Sequence, residues 1–369
     1  MQAMLDIAII GGGLSGLNLA KGLLGCDCSF AVFESRERFG GRILSVSPST
    51  KTDPGNDCVK YDLGPSWIWP DFQPRITRFL HENSIEIFSQ WTKGKSLYQT
   101  DRETPPQAYL DDSPYESARR IQGGTFRLIE TLLEQLPDNV LHLHHHLHKV
   151  IDRHDFVELH FSVAETELVL TTRRIVITIP PRLLINTLTF SPAIDTKLQA
   201  VMDNTATWMG GHAKAVIRYE RPFWRESELS GNALARYQGA ALAEIFDACS
   251  SDGKCAALSG FFALPAGIRR QYPNDLEALI LDQLVRLFGQ AAARPLEVII
   301  KDWFDEPLTS VAADEFPPAA HPQYGHPWFQ LDHWNNKLYF SGTETAQEFG
   351  GYLEGALESA ERVQKLLLM

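Results

Sequence analysis

The chain has 369 residues, 44% hydrophobic and 22% charged, which is ordinary for a soluble globular enzyme and long enough for two domains. Its formal net charge of −12 argues against nucleic acid or an anionic membrane as partner, since both reward basic patches. The five cysteines show no CxxC spacing, an apolar strand already begins at Leu5, and no window of eighteen apolar residues occurs; the expectation is a cytoplasmic protein with reduced thiols, no signal peptide and no membrane partner.

The first forty-odd residues read as a nucleotide cradle. Ile7 to Ile10 is a short apolar run of the kind that forms a strand buried on both faces. It stops at Gly11-Gly-Gly-Leu-Ser-Gly16, and Leu14, Leu17, Ala20 and Leu24 then recur at helical spacing. In this pattern Gly11 allows the tight turn, Gly13 lets the backbone approach a pyrophosphate, and Gly16 lets helix and strand pack closely, with the helix N-terminus facing phosphate charge. A second apolar run, Phe30 to Phe33, ends at Glu34, where an acid accepts hydrogen bonds from ribose hydroxyls. Strand, glycines, helix, strand and acid in this order predict a dinucleotide site; the acid disfavours a 2′-phosphate and leaves NAD or FAD open.

Farther on, the polar stretch from Ser45 to Asp57 predicts a surface link between strands, and Tyr61-Asp-Leu-Gly-Pro-Ser-Trp-Ile-Trp-Pro70 has the composition of backbone lying against a flat ring system. A helix is expected over Arg75 to Asn83, strands around the Lys93-Gly94 turn between Glu86 and Thr100, and a loop over the proline- and acid-rich Asp101 to Pro114. Gly123-Gly124 opens an amphipathic segment and offers another close backbone approach. In Leu141 to His148, alternation would put His142, His144, His146 and His148 on one strand face; no Cys, Asp or Glu completes a compact metal set, and an edge strand exposing imidazoles is the simpler reading. A hairpin is expected over Phe156 to Leu170, then a separate buried strand from Arg174, ended by Pro180-Pro181. Lys214 starts a strand containing Val216, Ile217 and Tyr219; Asp275 to Phe288 is an amphipathic helix; Val298 to Trp303 is a strand.

The last stretch carries a second decisive signal. Lys337-Leu-Tyr-Phe-Ser-Gly-Thr-Glu-Thr345 reads as strand then turn, and Gly350-Gly-Tyr-Leu-Glu-Gly-Ala356 starts a helix on glycines. Two such helix starts suit a dinucleotide with two separated electron-rich regions, the pyrophosphate at Gly11 to Gly16 and the pyrimidine edge of a flavin at Gly351.

At this point the chain resembles the flavin-dependent amine oxidase family, the monoamine and polyamine oxidase group, almost from end to end. The blocks that carry the resemblance are GGGLSGL at Gly11, Glu34, Arg36-Glu-Arg-Phe-Gly-Gly-Arg42, Asp62-Leu-Gly-Pro-Ser-Trp67, Gly123-Gly124, Ile179-Pro-Pro181, Lys214 ten residues before Trp224, Trp303-Phe-Asp-Glu-Pro307, and GTET followed by GGYLEGA. The resemblance implies an α/β protein: a Rossmann-like, GR2-type FAD-binding domain (1–75, 120–204 and 326–369) with an α+β substrate domain inserted in two segments (76–119 and 205–325). It implies oxidation of a small-molecule amine to an imine by hydride transfer to flavin N5, with dioxygen as the reoxidant. FAD would be held by Gly11, Gly13, Leu14, Ser15 and Gly16, by Glu34, Ser35 and Arg36, and by Gly41 and Arg42. Gly64, Pro65, Ser66 and Trp67 would border the ring, the backbone of Val150 would meet the adenine, and Gly342, Thr343, Gly351, Tyr352 and Leu353 would complete the site. Lys214 falls where the family's lysine holds a water near N5, and Tyr352 matches one aromatic of the cage that flanks the substrate amine.

The chain also departs from the family. Nine and ten residues beyond Trp303, where members with covalent flavin carry a cysteine and the second cage aromatic, stand Ala312 and Ala313. Noncovalent FAD is therefore expected, with half the cage missing unless Trp328, Tyr324 or Phe316 swings in. The chain is shorter than typical members, and no membrane-anchoring tail like theirs is expected. Two alternatives use a similar framework: a desaturase or oxidase of a porphyrinogen- or carotenoid-like substrate, and a non-catalytic FAD-binding protein.

Overall fold

In the computed structural model, which describes residues 4–49, 60–110, 115–316, 318 and 320–369, the apolar run forms the strand Leu5–Ile10 and the glycines lead into the helix Leu14–Gly22. Phe30–Phe33 lies parallel to the first strand on one side and Thr166–Ile177 on the other, as a βαβ unit requires. These strands are central in an eight-stranded mixed sheet, in which Leu338–Phe340 also joins Thr166–Ile177 in parallel and His145–Asp152 and Val157–Val163 extend one side antiparallel. The hairpin expected over Phe156 to Leu170 forms between Val157–Val163 and Thr166–Ile177, and its second arm runs on without a break into the buried strand expected as a separate element. The first part of Thr166–Ile177 pairs with Val157–Val163 and its last part with the nucleotide strand.

The helices Leu14–Gly22, Arg127–Gln135 and Leu353–Leu368 cover one face of this sheet, and the helix Pro74–Glu82 packs with them through Ile76, Phe79 and Leu80. Glu354, fully buried on the last helix, accepts hydrogen bonds from the backbone N–H groups of Arg75 (3.0 Å) and Ile76 (2.8 Å), so it caps the incoming helix. Residues 76–82, assigned from sequence to the substrate domain, thus pack against the nucleotide-binding core.

A seven-stranded sheet is built around Ala213–Tyr219, flanked by Glu297–Asp302 and Ala256–Phe262 and continued by Leu242–Asp247, Leu229–Ala235, Lys95–Gln99 and Gln107–Tyr109. Strand alternation divides its side chains. Ala213, Ala215 and Ile217 pack on the helix Leu276–Phe288, whereas Val216, Phe246 and Ala257 pack toward Tyr61 and Leu63 of the other domain. Two local expectations are corrected here. The strands either side of Gly94 do not pair with each other: Ile87–Ser89 joins Arg119–Ile121, and Lys95–Gln99 enters the large sheet. The stretch expected to be a loop after Asp101 contributes the strand Gln107–Tyr109. The link expected over Ser45 to Asp57 lies largely outside the described residues; Ser45–Val46 pairs with Tyr61–Asp62.

The histidine run is not one strand face. His144 takes a φ of 60° and separates Leu141–His142 from His145–Asp152. His142 stacks on Phe33, with ring centroids 5.0 Å apart.

Candidate active site

The two sheets meet around a cavity of about 770 Å³, large enough for an extended cofactor together with a small ligand. At one end stands the glycine turn. Gly11 adopts a φ of +108°, and a Cβ there would lie 2.4 Å from the Thr178 hydroxyl. A Cβ on Gly16 would lie 2.0 Å from the Gly11 carbonyl oxygen, so this glycine is required for the close packing of turn and helix. Gly13 differs: it lines the cavity, and a Cβ there would meet nothing within 4 Å. It is also the N-cap of its helix and supplies no capping side chain, which leaves the first N–H groups facing the cavity. Glu34, buried beside it, accepts hydrogen bonds from the N–H groups of Gly12 (2.8 Å) and Arg36 (3.0 Å) and presents its carboxylate at the cavity wall.

The helix Leu353–Leu368 starts on the same cavity, again with no side-chain cap, at Tyr352. Its start is fastened to the glycine turn through three buried hydroxyls: Ser15 Oγ lies 2.8 Å from Ser341 Oγ and 3.2 Å from Ser359 Oγ, and accepts the Gly342 N–H. Arg42 makes a two-pronged ion pair with the buried Glu344, at 2.6 and 2.9 Å. The first and last sequence blocks thereby form one wall.

The loop after Tyr61 forms the opposite border. Asp62 accepts from Ser45 Oγ (2.5 Å), the Thr125 N–H (2.8 Å) and the Thr125 hydroxyl (2.9 Å), and Trp303 Nε1 donates to the Leu63 carbonyl at 2.9 Å. Trp67 Nε1 donates to Gln90, whose amide in turn donates to the Asp247 carbonyl. These bonds hold Gly64, Pro65, Ser66 and Trp67 against the cavity. Lys214 reaches this loop from the second sheet. It is 1% exposed, donates to Ser66 Oγ at 2.6 Å and to the Gly64 carbonyl at 3.0 Å, and lies 5.5 Å from the ring centres of both Phe246 and Phe261. Burial pulls its pKa from 10.5 down to about 7; the Asp62 charge opposes this shift and Arg120 adds to it.

Of the residues expected from sequence, Gly11, Gly13, Leu14, Ser15, Glu34, Ser35, Arg36, Gly41, Arg42, Gly64 to Trp67, Lys214, Gly342, Thr343 and Gly351 to Leu353 all line this cavity. Gly16 lies behind the turn. Val150 does not reach the cavity: it is fully buried in the core beneath the first sheet, and His146 and Leu147 of the same strand take the lining position. Gly123 and Gly124 are likewise not at the wall; Gly124 packs on Ser45 and Asp62.

The neighbouring loop does not restore the second cage aromatic in the way anticipated. Ala312 and Ala313 sit exposed on a short turn of helix. Phe316 is 80% exposed, Tyr324 donates its hydroxyl to the Ala206 carbonyl, and Trp328 stacks with His333. Instead His321 stacks on Tyr352, with ring centroids 5.2 Å apart and planes at 17°, while Trp69 meets the Tyr352 ring edge-on. The sequence reading also passed over His212, Trp208, Arg236 and Glu244, all of which line the cavity. His212 was detectable, since it lies two residues before Lys214 and shares its strand face. Its Nδ1 is buried without a partner among the described residues, and burial, with Arg269 nearby, lowers its pKa.

The residues present fit FAD. Two uncapped helix starts open on one cavity, Gly13 leaves room where a phosphate must approach the backbone, and a carboxylate stands at the ribose position. Fold and site thus define a Rossmann-like dinucleotide-binding oxidoreductase with a flavin cofactor. Residues 103–365 match the family model described as flavin containing amine oxidoreductase, and residues 9–82 match that of the NAD(P)-binding Rossmann-like domain. The chain belongs to the flavin containing amine oxidoreductase family. Among its relatives, amine oxidase [flavin-containing] B of Rattus norvegicus is 25% identical over 476 residues, covering 100% of this chain and 87% of the relative. The Sus scrofa protein of the same name is 26% identical with the same coverage. Putrescine oxidase bound to putrescine shares the fold at a TM-score of 0.80 with 18% identity, covering 98% of both chains. Cyclohexylamine oxidase from Brevibacterium oxydans IH-35A shares it at 0.78 with 18% identity, covering 99% of both. Family membership sets the desaturase and binding-protein readings aside.

Proposed function

We propose that this protein holds FAD noncovalently and oxidises a small-molecule amine to an imine, with dioxygen as the final electron acceptor and hydrogen peroxide as its product. The observation that carries the reading is Lys214, a buried amine fixed to the Gly64–Trp67 loop in the same cavity as both open helix starts. When bound, FAD supplies the two-electron acceptor for the amine C–H and the route by which electrons reach dioxygen.

The chain's own residues supply binding, shielding and a proton site. The helix starts at Gly13 and Leu353 direct N–H groups toward anionic parts of the cofactor, and Glu34 accepts from ribose hydroxyls. With a pKa near 7, Lys214 Nζ holds or releases a proton at neutral pH, while Ser66 Oγ and the Gly64 carbonyl keep it aimed. Trp67, Phe261 and Tyr352 make this end of the cavity aromatic, which excludes water and favours an amine nitrogen over the ring faces.

Two expected outcomes follow from the lining. No cysteine lines the cavity among the described residues, and Ala312 offers no thiolate. Acid precipitation of the yellow protein should therefore leave all flavin in the supernatant; colour remaining in the pellet would remove the noncovalent assignment. Tyr352→Phe should alter amine kcat/KM less than about threefold, whereas Tyr352→Ala should lower it by about tenfold through loss of the ring. Equal effects of the two substitutions would show that the ring face is not what the amine meets.

A cytoplasmic location is part of the same proposal. It is supported by the acidic net charge, and among the described residues no helix is long and apolar enough to cross a membrane. Fractionation of the native host, with activity followed in the soluble and membrane fractions, tests it.

A further inference from the structure

Met209 belongs to the short segment that carries the chain from Trp208 to the strand of Lys214. Two hydrogen bonds fold this segment tightly, from the Gly210 N–H to the Thr207 carbonyl (3.0 Å) and from the His212 N–H to the Met209 carbonyl (3.1 Å), and Met209 takes a left-handed φ of 60°. Its side chain is left half-buried on the cavity wall. On one side, Trp208 closes on the second helix start: a Cβ on Gly351 would lie 3.0 Å from its ring, and its ring centroid is 4.4 Å from that of His321, which stacks on Tyr352. On the other side stands Lys214. The thioether thus belongs to the stretch of wall that runs from the Tyr352 pair to Lys214.

Packing does not account for a methionine here. Met202 is fully buried in the core beneath the first sheet, whereas Met209 belongs to none of the hydrophobic clusters among the described residues. Its sulfur is also the one on the described wall of the cavity. Cys26, Cys28, Cys249 and Cys255 lie elsewhere, and Met4 and Met369 are exposed away from it. Thiols and thioethers are the side chains to which hydrogen peroxide transfers oxygen, so in this cavity the target is Met209.

We propose that hydrogen peroxide formed in the cavity oxidises the Met209 thioether to its sulfoxide before it escapes, which makes Met209 a modification site through which turnover limits itself. The inference rests on the amine-oxidation reading with dioxygen as acceptor, which supplies the oxidant. The sulfur attacks one peroxide oxygen; an S–O bond forms as the O–O bond breaks. Sulfur gives up two electrons, and the departing oxygen takes the proton of the transferred one and leaves as water. Peroxide released beside the sulfur acts at an effective concentration far above that of peroxide diluted into bulk solvent. The sulfoxide brings a polar oxygen to an end of the cavity lined by Trp67, Phe261 and Tyr352, where burial without a partner is unfavourable, so amine turnover falls.

The test follows the FAD-loaded protein through prolonged amine turnover in air with excess catalase, and then reads each methionine by peptide mass spectrometry as a gain of about 16 Da. Met369, 101% exposed, reports peroxide in bulk. Met209 should be oxidised on the order of tenfold more than Met369, because catalase removes only the peroxide that has left the cavity. Peroxide added from outside should reverse the order. Met209→Leu should lose activity per turnover about threefold more slowly than the wild type, each measured against its own initial rate. An unmodified Met209, oxidation of Met369 ahead of it, or equal loss of activity in the variant would overturn the proposal. If no amine is turned over, the amine-oxidation reading falls by itself. Repeated anaerobic photoreduction of the flavin and admission of air, again with catalase, then decides the role of Met209: its oxidation with Met369 spared supports the proposal, and any other pattern rejects it.

Discussion

Lys214→Met is expected to lower amine-dependent turnover by on the order of 10²-fold while FAD remains bound. Methionine fills similar space between Phe246 and Phe261 but cannot donate to Ser66 Oγ and the Gly64 carbonyl, and it carries no proton. The same substitution has a signature in pH. In the wild type, kcat should rise with pH through about 7, as the buried ammonium gives up its proton and a cation leaves the amine end of the cavity; the variant should lack that inflection. Stability follows the same group. Lys214 titrates near 10.5 in the unfolded chain and near 7 in the fold, so between these values the unfolded state binds more protons and stability rises with pH. Below about pH 7 the penalty is fully present. The Lys214→Met apoprotein should therefore be more stable than the wild type at pH 6, with the gap narrowing toward pH 10. Unchanged stopped-flow rates of flavin bleaching and recovery in the variant would remove Lys214 from the chemistry, and a parallel stability difference at all pH values would remove the buried charge.

Gly16→Ala is expected to be the more damaging change to the protein as a whole. The new Cβ would sit 2.0 Å from the Gly11 carbonyl oxygen, a backbone atom in a turn that cannot give way without moving the strand behind it. Overpacking of this kind costs about 3 kcal/mol at its upper range, so the variant should show a lowered Tm and purify colourless. Gly13→Ala provides the contrast. Its Cβ meets no protein atom within 4 Å, and its φ of −81° suits alanine. The apoprotein should fold with near-normal stability, yet bind FAD weakly because the methyl group occupies the space left for the phosphates. Equal FAD affinity in Gly13→Ala and wild type would show that the pyrophosphate does not approach this glycine.

The nucleotide end was legible in the sequence because its determinants are local. Gly11, Gly13, Gly16 and Glu34 lie within one βαβ unit, so their spacing along the chain alone carries the pattern of turn, phosphate approach, helix packing and ribose acid. The second helix start at Leu353 was legible for the same reason. What the sequence did not show depends on pairing between distant segments. Lys95–Gln99 reads as half of a hairpin but lies parallel to Leu229–Ala235, a partner more than a hundred residues away. His144 breaks the histidine strand with a left-handed residue that alternation cannot foresee. The backbone of Val150 was placed at the adenine by the resemblance alone, and it is His146 and Leu147 of the same strand that line the cavity. Glu244 left a usable trace, a single acid in the apolar run Ala240 to Phe246, but only the bulge at Ala243 decides which face that acid takes.

Anaerobic titration of the purified yellow protein with a primary amine or diamine tests the central claim most directly. The oxidised-flavin visible band should bleach with a rate that depends on amine concentration, and admission of air should restore it with release of one hydrogen peroxide for each flavin. A band that no amine in a panel of monoamines and diamines can bleach, in protein that a chemical reductant bleaches readily, would contradict the assignment of amine oxidation to this site.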